Sequence, residues 1–222
     1  RYAVGFRIVL WTVGALIFLT AGLRARSRWS RAAGFLVLAV SAGLALHSLG
    51  YYRDEPYRIF LNVRFLAVLF QIAGVFAWAW LMKRFADRCR EDELRLRFPL
   101  IGAAMLLLLA LISVEAYNFS FELAANVQDA RWMSLGAVSV AWGLYAVAIL
   151  VIGFRRGLRW LRYAALGLFG LTSVKLVLLD MAGTEDVYRI IVFFLLGFIL
   201  IGVAYAYHRI EKNPAAGEEK SA

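Results

Sequence analysis

Side chains that build metal and redox sites are scarce in this sequence. Cys89 is the only cysteine, which excludes an internal disulfide and every Cys-x-x-Cys motif. Two histidines and one cysteine cannot form a usual zinc site without carboxylates. The chain also contains no glycine-rich phosphate loop and no nucleophile elbow. We therefore expect no metal site, no cofactor and no catalytic residue of these kinds.

Charge is scarce as well, whereas apolar residues are abundant. Charged residues make up 18% of the 222 residues, hydrophobic residues 63%, and the mean hydropathy is +0.71. Soluble domains contain only about 45 to 50% apolar residues. The net charge of +10 does not indicate nucleic acid, because the basic residues form short clusters between long apolar runs. The composition predicts an integral membrane protein whose partners are membrane lipids.

Seven apolar segments are long enough to cross a bilayer, which takes about 20 residues. Helices are expected, because they satisfy their own backbone in hydrocarbon, and no segment alternates as a barrel strand does. The fold class predicted is all-α, a polytopic transmembrane helix bundle of about seven spans. The spans are residues 4–22, 32–50, 59–82, 99–117, 132–154, 163–180 and 190–207.

The connections between these spans predict the orientation. Arginine and lysine cluster after the first, third and fifth spans, and the positive-inside rule places such clusters in the cytoplasm. The N-terminus is then outside, and a polar, disordered tail, 209–222, is cytoplasmic. Opposite charges at helical spacing in 83–98 predict a short surface helix or an extension of the third span. The chain starts at Arg1 without the order of regions that marks a signal peptide, so we expect it to be a segment of a longer protein with upstream domains.

The chain matches itself without a gap when it is shifted by 131 positions. The inner motif Gly22–Arg31 falls on Gly153–Arg162, and Tyr57-Arg58-Ile59 falls on Tyr188-Arg189-Ile190. Both copies start outside, which predicts parallel three-helix repeats joined by a central span (3+1+3). The domains predicted are a first repeat, a connector with the fourth span and an outer loop, a second repeat and the tail: 1–82, 83–131, 132–208 and 209–222.

Each shared motif has two interpretations. The inner motif joins arginines to an interfacial tryptophan, which is typical of a topology signal with an aromatic anchor. The alternative is a site for anionic lipid head groups. The outer motif is two acidic residues before Tyr-Arg-Ile, in which Asp54 and Thr184 are predicted helix caps. Its arginines can snorkel to head groups or bind an anion.

Ionisable residues within spans are functional candidates, since each costs about 2.5 to 3.5 kcal/mol at the bilayer centre. Lys175 is the deepest, and Glu115 is its predicted partner. Together with Asn62, Tyr117 and Asn118 they predict one outward-facing polar cluster. The alternative is that each side chain separately reaches the membrane surface or forms a hydrogen bond with a neighbouring helix. For Lys175 and Glu115 the cluster and this alternative are equally supported. The alternative is favoured for three other residues in outer halves of spans: His47, Arg64 and Asp180.

The last third of the chain resembles a known family. It contains Trp142-Gly-Leu-Tyr145, Gly153-Phe-Arg-Arg156, Arg162, Lys175-Leu-Val-Leu-Leu-Asp180, Tyr188-Arg189-Ile190 and Gly197. These motifs resemble the C-terminal region of a bacterial family of predicted membrane proteins, domain of unknown function 2339. Asn62-Val-Arg64-Phe-Leu66 is similar to a further motif of that family. The resemblance implies the bacterial cytoplasmic membrane and marks Lys175, Asp180 and Arg189, but it implies no activity.

Three functions stay open. The favoured one is a non-enzymatic module that binds or transports an anionic or glycan-like envelope component at its outer face. Arg58, Arg189 and Lys175 would be its cationic contacts, and Glu115 the counter-charge. The second is an envelope acyl or glycosyl transferase with Glu115 or Asp180 as base, assisted by His47. The third is a structural or assembly module. The sequence names neither a ligand nor an oligomeric state.

Overall fold

The computed structural model describes residues 2–50, 58–124 and 126–176, together with Phe194, Gly197, Phe198 and Ile201. Within these residues every regular element is helical, which confirms the predicted all-α class. A 3₁₀ turn covers Ala86–Arg88. The helices are α1 (Tyr2–Arg24), α2 (Arg28–Leu49), α3 (Val63–Arg84), α4 (Glu91–Arg95), α5 (Arg97–Leu123), α6 (Val127–Arg155) and α7 (Arg159–Lys175).

Five helical segments of the described chain are long and apolar enough to cross a membrane. They are α1, α2, α3, α4 together with α5, and α6. Large apolar side chains cover their outer surfaces: Phe6 is 67% exposed, Leu106 68% and Trp80 61%. Such a surface is stable in lipid rather than in water. The first five predicted spans are thus found, and the count of seven stays a prediction.

The helix ends differ from the predicted spans around α3 and α5. Asn62 caps α3, because its side chain accepts a hydrogen bond from the Phe65 amide, 2.7 Å away. The helix of the third span therefore starts at Val63 and not at residue 59. The predicted caps Asp54 and Thr184 lie outside the described residues. The predicted outer loop is also too long: α5 continues to Leu123 and α6 begins at Val127.

The chain divides into two compact units, residues 1–125 and 126–222. In the first unit, α1, α2, α3 and α5 surround one apolar core, so the fourth long helix packs with the three that precede it. Trp78 is 2% exposed there, and a β-carbon on Gly34 would lie 2.7 Å from its ring. The short α4 follows the 3₁₀ turn, which confirms a short helix in 83–98 and not an extension of α3. In the second unit, α6 packs against α7.

The hairpins α1–α2 and α6–α7 have ends that differ by the same 131 positions as the sequence repeat. α1 ends at Arg24 and α6 at Arg155, while α2 begins at Arg28 and α7 at Arg159. The Ser27 amide donates to the Gly22 carbonyl at 2.9 Å, and the corresponding Leu158 amide donates to the Gly153 carbonyl at 2.9 Å. Each turn holds one residue in the left-handed region, namely Arg26 (φ 53°) and Gly157 (φ 65°).

Candidate functional site

A buried carboxylate lies at the end of the first unit where α3 begins. Glu115 belongs to α5 and is 2% exposed. Its Oε1 accepts hydrogen bonds from Asn62 Nδ2 at 3.1 Å and from Arg64 NH2 at 3.4 Å. Its Oε2 accepts one from the Phe60 amide at 3.3 Å. Three donors from the α3 region therefore surround this carboxylate, as burial of a charge requires.

Asn62 connects the carboxylate to the backbone before α3. Its Nδ2 donates both to Glu115 and to the Arg58 carbonyl, the latter at 3.2 Å. Its Oδ1 caps α3 through the Phe65 amide. Phe60, between them, has a φ of 60°, a conformation that an L residue keeps only where its surroundings hold it. We call Arg58, Phe60, Asn62, Arg64 and Glu115 the Glu115 cluster.

Arg64 supplies the positive charge of this cluster. Its side chain is 10% exposed and its NH2 lies 3.4 Å from Glu115 Oε1. The favoured expectation for Arg64 was snorkelling to the membrane surface, and the structure shows an ion pair with a buried carboxylate instead. A guanidinium beside a carboxylate offsets the cost of removing both groups from water. Arg58 has an exposed side chain at the same place.

Asn118 and Tyr117, predicted for the polar cluster, lie on α5, and the further candidate His47 lies on α2. Asn118, one helical turn along α5, is 8% exposed, and its Nδ2 has no hydrogen-bond acceptor among the described residues. Tyr117 is 47% exposed and stacks on Phe121 at 4.9 Å. His47 has an exposed side chain in the last turn of α2.

Lys175 has its own partners in the second unit. Its Nζ donates to Ser139 Oγ at 2.7 Å and to the Leu135 carbonyl at 3.2 Å, both on α6. The lysine therefore joins α7 to α6. Its predicted pairing with Glu115 would connect the two units and stays a prediction. Asp180 and Arg189, the other residues predicted for this half, lie outside the described residues.

Two polar clusters were not anticipated from the sequence. The first lies inside the helix bundle, where Thr12, Ser41 and Gln71 are each 0% exposed. The Ser41 hydroxyl is 2.8 Å from Gln71 Oε1, the Thr12 hydroxyl also contacts that oxygen, and Gln71 Nε2 donates to the Leu38 carbonyl at 3.3 Å. Gln71, in the middle of an apolar span, could have indicated this cluster in the sequence, because a buried amide needs hydrogen-bond partners.

The second unanticipated cluster ties α4 to the α1–α2 turn. Arg31, 6% exposed, donates through Nε and NH2 to the two oxygens of Glu93, each at 3.0 Å. The helical spacing of opposite charges in 83–98 predicts that Glu93 pairs with Arg97, but α4 ends at Arg95 and Arg97 belongs to α5. Burial raises the pKa of the nearby Cys89 thiol above its ordinary value of 9.0, Arg31 opposes this rise, and Glu93 adds to it. Cys89 is therefore a poor nucleophile at neutral pH.

The hydrogen bonds of Glu115 bear on its predicted role as a base. Three donors already engage the Glu115 carboxylate, which disfavours its use as a general base. In the part of the chain that the structure describes, no three side chains of the types His, Cys, Asp or Glu come together as metal ligands do.

One comparison with known proteins matches this chain. The family described as "Predicted membrane protein (DUF2339)" matches residues 8–210. The match covers nearly the whole chain, including the first half, and not only the motifs of the last third. No curated protein and no solved structure matches.

Proposed function

The chain belongs to this family of predicted membrane proteins, DUF2339, and we propose that it is a non-enzymatic module that binds an acidic, glycan-like component. The proposed contact is the Glu115 cluster, at the end of the bundle where α3 begins. In the proposed topology of seven parallel-repeat spans (3+1+3), this end faces outward from a bacterial cytoplasmic membrane. The matching turns of the hairpins α1–α2 and α6–α7 support the duplication.

Arg58 carries this proposal. Its side chain is exposed, and no carboxylate lies within ion-pair distance of it among the described residues. Its carbonyl is held by Asn62, which is itself held by the buried Glu115. Since Arg64 and Glu115 neutralise each other, the cluster keeps one positive charge, on a backbone that is fixed before a ligand arrives. The guanidinium of Arg58 can bind a carboxylate or phosphate through two parallel hydrogen bonds.

The second half would add further cations in this proposal. Arg189 occupies the position of Arg58 after the shift of 131 residues, and Lys175 lies near it in the sequence. We propose that both are cationic contacts for an anionic component, and that Glu115 is the counter-charge within the Glu115 cluster.

The experiment compares two arginines at the same end of the first unit. The full chain, in phosphatidylcholine nanodiscs, is titrated with oligogalacturonate as an acidic glycan and with a dextran oligomer as a neutral one. Arg58→Gln should weaken oligogalacturonate binding about tenfold, as expected for loss of one charge-assisted pair. Arg7→Gln, an exposed arginine of α1, is the control and should bind as the wild type does. Equal binding of the two glycans, or an unchanged Arg58→Gln variant, would contradict the proposal.

A structural function is the second candidate, and one observation favours it. Asn62, Arg64 and the Phe60 amide all come from α3 or the residues just before it, so Glu115 joins α5 to the start of α3. If Arg58→Gln binds normally while Glu115→Gln loses stability, the cluster serves assembly of the bundle rather than recognition.

A further inference from the structure

The turns of the hairpins α1–α2 and α6–α7 are alike in backbone but differ in the partner of one arginine. Gly22 in the first and Gly153 in the second lie against an arginine backbone, since an added β-carbon would be 2.9 Å from the Arg31 nitrogen and 3.2 Å from the Arg162 nitrogen. At the first turn, the Arg31 guanidinium donates hydrogen bonds to both carboxylate oxygens of Glu93, each at 3.0 Å. This turn is therefore built to present a guanidinium to an oxyanion.

In the second turn the equivalent guanidinium has no carboxylate partner within the described residues. Arg162 lies over the ring of Phe154, 5.2 Å from its centroid. Three further arginines with exposed side chains lie within seven residues of it: Arg155, Arg156 and Arg159. The segment from Arg155 to Arg162 contains no acidic residue. An anion from outside the hairpin can therefore neutralise the positive charge of this turn.

We propose that the phosphate of an anionic phospholipid binds Arg162 in the place that the Glu93 carboxylate takes at Arg31. Phosphate and carboxylate both accept two parallel hydrogen bonds from a guanidinium. The stacked Phe154 ring orients Arg162, and Arg155, Arg156 and Arg159 supply the excess positive charge that anionic head groups attract.

A lipid, rather than a free anion, is indicated by the aromatic residues of the same turn. Trp160 is 40% exposed and Tyr163 is 73% exposed, directly beside the arginines. Tryptophan and tyrosine favour the level of the lipid head groups. The two ends of α6 and α7 that meet here therefore lie where lipid phosphates are found. This site is separate from the Glu115 cluster and does not depend on the proposed glycan function.

The test measures phospholipid binding to the full chain by native mass spectrometry from detergent micelles. Phosphatidylglycerol should bind more tightly than phosphatidylcholine, and Arg162→Gln should weaken phosphatidylglycerol binding about tenfold. Arg162→Lys keeps the charge but not the two parallel bonds, so its affinity for phosphatidylglycerol should lie between those of the wild type and Arg162→Gln. Arg28→Gln is the matched control, since it removes an exposed arginine from the first turn, and it should bind as the wild type does.

Glu93→Gln gives an independent gain of function. It removes the carboxylate that occupies Arg31, so that one additional phosphatidylglycerol should bind per chain. Thermal unfolding, followed by tryptophan fluorescence, checks that each variant is folded. If Arg162→Gln does not fold, Arg162→Lys is compared with the wild type instead.

Three results would overturn the proposal: equal affinity for the two lipids, wild-type binding by Arg162→Gln, or displacement of the lipid by inorganic phosphate at equal concentration.

Discussion

Glu115 is kept inside a membrane helix by the groups that meet it. A charged carboxylate removed from water costs several kcal/mol, and only good pairing offsets this cost. Arg64 provides the opposite charge, while Asn62 and the Phe60 amide provide neutral donors. The same bonds hold the irregular backbone before α3. At this position, one residue determines both local charge balance and the starting point of a helix.

Replacing Glu115 with alanine should destabilise the first unit by about 3 to 5 kcal/mol, because the buried Arg64 loses its carboxylate. The double variant Glu115→Ala/Arg64→Ala should lose less than the sum of the two single variants, since both remove the same pair. Denaturant unfolding in detergent micelles, followed by circular dichroism, measures these differences.

The control for this cycle is Glu91→Ala, an exposed glutamate of α4, which should change stability little. Strict additivity of the Glu115 and Arg64 variants would show that the ion pair contributes nothing to the fold.

At the scale of helices, close contact in the first unit depends on small residues. Gly34 of α2 faces the Trp78 ring of α3 and the Ala15 carbonyl of α1, 2.7 and 3.0 Å from the position of an added β-carbon. An added β-carbon on Gly43, nine residues later in the same helix, would meet no atom of the described residues within 4 Å. Without a hydrophobic drive inside lipid, helices associate mainly through such close packing.

This difference predicts opposite effects for the same substitution. Gly34→Ala should destabilise the chain by about 1 to 3 kcal/mol, because it forces α2 away from its neighbours. Gly43→Ala should be neutral or stabilising by up to about 1 kcal/mol, the usual gain in helix propensity. Thermal unfolding in one detergent measures both. A loss of similar size in the two variants would mean that contact at Gly34 is not tight.

The hairpin turns show how far a repeat can be read from sequence at this scale. The shared Gly and Arg positions predicted the two turns, and both turns have the same hydrogen bonds. The partner of the arginine could not be predicted, because Glu93 lies 62 residues from Arg31 in the chain. Helical spacing suggested Arg97 instead, but α4 ends at Arg95 and Arg97 begins α5, whereas Arg31 meets both carboxylate oxygens of Glu93 at 3.0 Å.

For the whole molecule, the parallel repeat predicts which turns share a side of the membrane. In a Cys89→Ser background, single cysteines at Arg26 and Gly157 should be labelled by a membrane-impermeant maleimide from the same side. A cysteine at Ala124, between α5 and α6, should be labelled from the opposite side. Inside-out and right-side-out vesicles provide the two measurements.

A label at Arg26 and at Gly157 from opposite sides would contradict parallel repeats and indicate inverted ones. The positive-inside rule further predicts that the shared side is the cytoplasm, so Arg26→Cys and Gly157→Cys should react only in inside-out vesicles.

Long apolar runs determined by themselves that this chain is a membrane protein built of helices, since hydrocarbon leaves the backbone few other choices. Charge clusters and the shift of 131 positions likewise predicted the turns between α1 and α2 and between α6 and α7. These features are local or repeated along the chain, so each can be recognised without knowledge of packing.

Only the tertiary structure decided which polar groups meet. It paired Glu115 with Arg64, Arg31 with Glu93 and Lys175 with Ser139, and it gathered Thr12, Ser41 and Gln71 from three helices. Hydropathy fixes the depth of a residue in the membrane, whereas its partner depends on how each helix is rotated and which neighbour it touches. That rotation is set by close packing across the bundle, which no single segment of the sequence contains.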